Sequence, residues 1–63
     1  MDSYTKSLAH EYLETIRNIA SGMYNGDELH YLEADRSVLH KQLERAIGKR
    51  IPKDEMPEYA RSL

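Results

Sequence analysis

The sequence predicts an all-α fold, an antiparallel helical hairpin with a short C-terminal helix or ordered tail, completing a bundle by dimerisation. Two apolar stripes at helical spacing predict the helices, and a glycine-containing bend between them predicts the hairpin. The third observation is economy of size. Folding a 63-residue chain hides only about 60% of the surface that the open chain exposes, and with Cys 0 no disulfide or thiolate metal site can reinforce the thin core. Association with a second copy is the remaining means of burying more apolar surface. The whole of 1–63 reads as one helical domain, with a helix over about 4–22, a second over about 26–47 and a tail or short helix over 52–63.

The first helix rests on Ala9, Tyr12, Ile16, Ile19 and Met23, spaced 3-4-3-4 and widened by Leu13 and Ala20. His10, Glu11, Glu14, Arg17, Asn18 and Ser21 occupy the opposite, polar side. Asp2, Ser3 and Thr5 are each competent N-caps, and none has Glu or Gln three residues later to complete a capping box. Gly22 marks the end, since glycine accepts the left-handed conformation just past a helix.

For the second helix the start signal is Asn25-Gly26-Asp27-Glu28: a cap at Asn25, Glu28 reaching back, and Tyr24 packing on Leu29 as a staple. Two acids in the first turn suit the positive end of the helix dipole. Leu29, Leu32, Leu39, Leu43 and Ala46 form the stripe, with Ile47 beside it. Between Leu32 and Leu39, where a heptad stripe places a large apolar residue, stand Asp35 and Arg36. Either the stripe rotates and Arg36 extends its head to water, or a buried polar pair sets register in a dimer. Gly48 ends or kinks this helix, and Lys49-Arg50 suits its negative end.

Both prolines, Pro52 and Pro57, lie in the last segment. A short helix with Pro57 in its first turn would lay Met56, Tyr59 and Leu63 on the hairpin, and a frayed tail is the alternative.

At 40% hydrophobic and 32% charged residues, with a mean hydropathy of -0.79, the composition is that of a chain able to fold. No apolar run reaches membrane-spanning length, and the first residues lack the features of a secretion signal, so the expected location is cytoplasmic, away from any membrane. The net charge of -2 argues against a globally basic nucleic-acid binder, yet it is unevenly spread. Up to His40 seven acids face three bases, whereas from Lys41 onward six bases face four acids. An acidic body therefore carries a basic shoulder, an arrangement able to steer a partner or to pair subunits head to tail.

Catalytic patterns are missing. The histidines His10, His30 and His40 form no His-Glu-x-x-His or Glu-x-x-His pair, no serine sits in a Gly-x-Ser-x-Gly turn, and the glycines do not cluster into a phosphate-cradling loop. No enzyme activity, metal or cofactor is expected, and the polar-face histidines read as solvated. Lys41, Arg45 and Lys49 share a helix face, with Arg50 and Lys53 nearby, enough for a few phosphate contacts. A helix-turn-helix does not fit, because Arg17, Asn18, Asn25 and Asp35 fall at positions that motif keeps small or apolar, and Asp27-Glu28 would repel phosphate at the start of a recognition helix.

Five tyrosines stand in a chain with no Trp or Phe. Tyr31, with Ala34 and Val38, makes a second apolar strip off the main stripe, which either meets a partner or lies under a third helix. The function expected is that of a small non-enzymatic interaction or regulatory module, a homodimer contacting a further protein through Tyr31, Ala34 and Val38, with Arg36 as an interface charge. The alternative is a nucleic-acid-associated regulator using Lys41, Arg45, Lys49, Arg50 and Lys53.

Two similarities accompany this reading. In length and hairpin design the chain resembles the Rop-type RNA-binding dimers. Leu13-Glu14, Asp27-Glu28-Leu29, Ala34-Asp35 and Ile51-Pro52 resemble, in similar order, the Hha/YmoA family of small helical nucleoid-associated regulators. The sequence departs from that family at Arg36-Ser37-Val38-Leu39, lacks a tryptophan after Ile51-Pro52, and aligns only with a gap. No family is assigned on these features.

Overall fold

Three helices, α1 (Ser3–Ala20), α2 (Gly26–Ile47) and α3 (Met56–Arg61), make up a computed structural model that describes residues 2–63. Among the described residues there is no strand. The long axis, 34 Å, is the length of α2 itself, because 22 residues rising about 1.5 Å each span that distance. α1 lies antiparallel along it as the five-residue bend 21–25 requires, and no described helix is long and apolar enough to cross a membrane.

Of the three candidate caps for α1, Asp2 is the one used: its Oδ1 accepts from the Thr5 backbone N–H at 2.8 Å. The helix closes at Ala20, two residues earlier than the glycine signal implied. Ser21 caps it by donating its backbone N–H to the carbonyls of Arg17 and Asn18, while Gly22, at φ +75°, turns the chain away.

The start of α2 departs from the predicted capping box. Asn25 makes no side-chain cap hydrogen bond. Gly26 follows it at φ +59°, a left-handed conformation unlike the right-handed one of an ordinary first helical residue. At the other end Gly48, at φ +92°, stops the helix and does not kink it; its N–H donates to the Glu44 carbonyl at 2.8 Å.

The apolar stripes meet mostly at the end of the hairpin where the termini lie. Leu8, Ala9 and Tyr12 from α1, Leu39 and Leu43 from α2, and Ile51, Met56 and Ala60 from the last segment form one core. Toward the bend the same stripes thin out: Ile16, Ile19, Leu29 and Leu32 are half-buried, and Met23 is 80% exposed because α1 has ended before it. Ala46, placed on the α2 stripe by spacing, is exposed, and Ile47 takes its place beside the core. The series Leu39, Leu43, Ile47 advances four residues at a time, drifting around the helix toward the returning chain.

The last segment is not a frayed tail. After Gly48 the chain reverses, Pro52 accepts from the N–H groups of Glu55 and Met56, and α3 follows with Pro57 in its first turn. Met56 is fully buried, Ala60 nearly so, and Tyr59 and Leu63 pack at the margin of the core. α3 rests against α1, so three of the eight core residues come from a segment of thirteen.

That share makes the closing segment the stability test of the fold. Met56→Ala leaves a cavity at the three-helix junction and should cost about 2–5 kcal/mol in urea denaturation. Val38→Ala, on the exposed side of α2, should stay within about 0.5 kcal/mol of the parent at concentrations too low for self-association.

Candidate functional surfaces

Residues three, four and seven apart on a helix lie on one side, which places Tyr31, Ala34 and Val38 in a row along α2. Tyr31 is 69% exposed and Val38 55%, and Ala34 between them is also exposed. The third helix does not cover this strip, because it packs on α1. Beside the strip runs an open groove of about 400 Å³ between the two long helices, lined by Glu11, Glu14, Thr15 and Asn18 from α1 and Asp35, Val38 and Leu39 from α2.

Arg36 does not join the strip. Two residues before Val38, it points about 200° around the helix from it. It occupies the stripe position between Leu32 and Leu39, is half-buried, and is paired with no carboxylate among the described residues. Asp35 is exposed, so within one chain the two make no buried polar pair. Arg36 lies near Tyr12: burial raises the pKa of the Tyr12 hydroxyl, and the Arg36 charge pulls it back.

The five basic residues gather around the end of α2. Lys41, Arg45, Lys49 and Arg50 border one open concavity of about 620 Å³ with Glu44 and Gly48. Lys53 reaches a second, smaller cleft of about 230 Å³, shared with Arg36, Ser37, His40, Lys41 and Glu44. Lys49 has a structural role as well, its Nζ lying 5.0 Å from the centre of the Tyr59 ring.

Glu44 holds this region together. Its Oε2 accepts from the Ile51 N–H at 2.9 Å and lies 3.4 Å from His40 Nε2, while the His40 ring sits 6.4 Å from that of Tyr12. The Ile51 hydrogen bond, then His40 and Arg50, keep the Glu44 carboxyl below the usual glutamate range, against the opposing effect of burial. His40, read from the sequence as a solvated polar-face residue, is instead half-buried against Glu44, and the signal that could have shown it is their spacing of one helical turn. The Glu44–Ile51 bond spans seven residues and depends on the reversal at Gly48, which no helical periodicity encodes.

His10 approaches Glu14 at 3.9 Å on an exposed surface, and no group of three or more metal-ligating His, Asp or Glu side chains converges among the described residues. Comparison of the chain with protein-family models, with curated proteins and with solved structures returned no match.

The depressed carboxyls set a pH dependence. Asp2 is held low by its hydrogen bonds with Thr5, as Glu44 is by Ile51. A carboxyl with a lower pKa folded than unfolded contributes stability that is fully present above its unfolded value, about 4, and lost as pH falls through its folded value. Melting temperature followed by circular dichroism should therefore decline below about pH 4. Glu44→Gln should lower stability at neutral pH and make that acid decline shallower.

Proposed function

We propose that this chain is a non-enzymatic interaction module whose outward strip on α2, Tyr31, Ala34 and Val38, docks on the same strip of a second copy. The observation that carries the reading is the exposure of that strip in a chain whose other long stripes are turned inward. A contiguous exposed apolar patch rimmed by polar residues is a recurrent feature of association sites.

Charge selects the occupant and its direction. The first half of α2 carries Asp27, Glu28, Glu33 and Asp35 with no base before Arg36, whereas Lys41, Arg45, Lys49 and Arg50 cluster at its end around a single acid, Glu44. Two copies of α2 laid antiparallel place acidic halves against basic halves, and a parallel arrangement opposes like charges. With the two-fold axis near Val38, Tyr31 lies across from Arg45 of the partner subunit, seven residues on either side of the centre. An Arg guanidinium over a tyrosine ring is a favourable interface contact. Such a pair is self-complementary, as a two-fold interface must be, and joins four long helices into one bundle.

Sedimentation equilibrium over a concentration series should resolve a dimer in equilibrium with the 7.4 kDa chain. Val38→Glu places two carboxylates opposite each other at the axis and should shift the equilibrium to monomer by at least about tenfold, with helicity unchanged. A single monomeric species at all concentrations, or association indifferent to Val38→Glu, would overturn the assignment.

A further inference from the structure

The cleft between α2 and the segment 49–55 is centred about 120° around α2 from the docking strip, with Lys41, three residues after Val38, at the edge they share. We infer that Arg36, Lys41 and Lys53, with Ser37 and His40, bind a phosphate-type oxyanion there, either free phosphate or the phosphate group of a small ester. The site rests chiefly on Arg36 and Lys53, which lie away from the proposed dimer strip, while Lys41 borders both, so the titration is run at concentrations where the chain is monomeric.

Arg36 is the first reason. It stands at the one stripe position of α2 between Leu32 and Leu39, where an aliphatic side chain would bury more apolar surface at no cost in charge desolvation. The residue is half-buried, and its guanidinium takes part in no ion pair or side-chain hydrogen bond among the described residues. A cation so placed offers its planar fork of N–H donors to whatever enters the cleft.

Charge balance is the second. Arg36, Lys41 and Lys53 line the cleft against one carboxylate, Glu44, and that carboxylate is already engaged by the Ile51 N–H and by His40. Neither lysine pairs with a carboxylate among the described residues. A concave surface focuses this positive field even though the chain as a whole carries -2.

Donor type is the third. The cleft, about 230 Å³ and open to solvent, admits a phosphate group. Arg36 supplies a bidentate fork, Lys41 and Lys53 supply point charges, and the Ser37 hydroxyl supplies a neutral donor. Lys53 comes from the returning segment, so the site exists only once the chain has reversed at Gly48.

The test is a nuclear magnetic resonance titration of the full chain, at low and constant ionic strength, with inorganic phosphate and with glycerol phosphate, using sodium chloride as control. Saturable shifts confined to the Arg36, Ser37, His40, Lys41 and Lys53 amides are expected with one or both phosphates, and the tighter of the two identifies the source. Arg36→Gln should weaken binding about tenfold or more, Arg36→Lys should weaken it less, and Lys49→Gln should change it less than about twofold. Arg36→Leu separates fold from site, since it should melt higher than the parent and bind no phosphate. Shifts that follow chloride equally, or equal losses from Arg36→Gln and Lys49→Gln, would overturn the inference. Binding to duplex DNA alone, with losses spread over Lys41, Arg45 and Lys49, would overturn it in favour of an extended polyanion surface.

Discussion

Two amphipathic helices pressed together bury one seam and leave the flanks of that seam facing water. In this chain the reversal at Gly48 brings Ile51, Met56 and Ala60 onto the flank at the terminal end of the hairpin, and every well-buried side chain lies there. Glycine at φ +92° permits the reversal without strain, and the Glu44 carboxylate fixes its direction by accepting the first N–H of the returning strand of chain that reaches the core. Remove the closing segment and Tyr12 and Leu43, both essentially inaccessible to water, lose part of their cover. The bend end of the hairpin has no equivalent, which is why Met23 is solvated and Ile19 and Leu29 are only half-buried.

α2 thereby serves three directions at once. One side packs into the core through Leu39 and Leu43, a second presents Tyr31, Ala34 and Val38, and a third carries Arg36 and His40 toward the returning segment. The rotation of the side chains at about 100° per residue sets these directions apart. Arg36 shows the tension: it stands at a stripe position of α2, half-buried, near enough to Tyr12 for its charge to act on that hydroxyl, and it lines the cleft.

Periodicity exposed the hairpin, its antiparallel sense, and the core identities of Ala9, Tyr12, Leu39 and Leu43. It misplaced the ends of the stripes. Leu8 was not recognised as core because the α1 stripe was started one residue late, and Ala46 was favoured over Ile47 because a 3-4 pattern ignores the drift imposed by a neighbour on one side. The predicted box at Asn25 does not form, and the adjoining Gly26 adopts a positive φ, a backbone choice that the residue types allow but do not dictate. Tyr31, Ala34 and Val38 were legible as a second strip, since their spacing is helical; that Arg36 faces elsewhere follows from the same arithmetic applied two residues further back.

Residue order by itself determined the all-helical class, the hairpin and the separation of acidic body from basic end, because these depend on spacings of three to seven residues and on simple counts. The tertiary structure decided which side of the hairpin stays open. α3 could have lain over the Tyr31 strip or over α1, and packing on α1 was selected where Leu8, Ala9 and Tyr12 present the larger apolar surface to Met56 and Ala60. It also brought Lys53 beside Arg36, residues seventeen apart, into one cleft. Contacts of that range depend on where the chain turns back and which surface it then covers, and those are settled by the burial of the whole chain, beyond the reach of any local spacing.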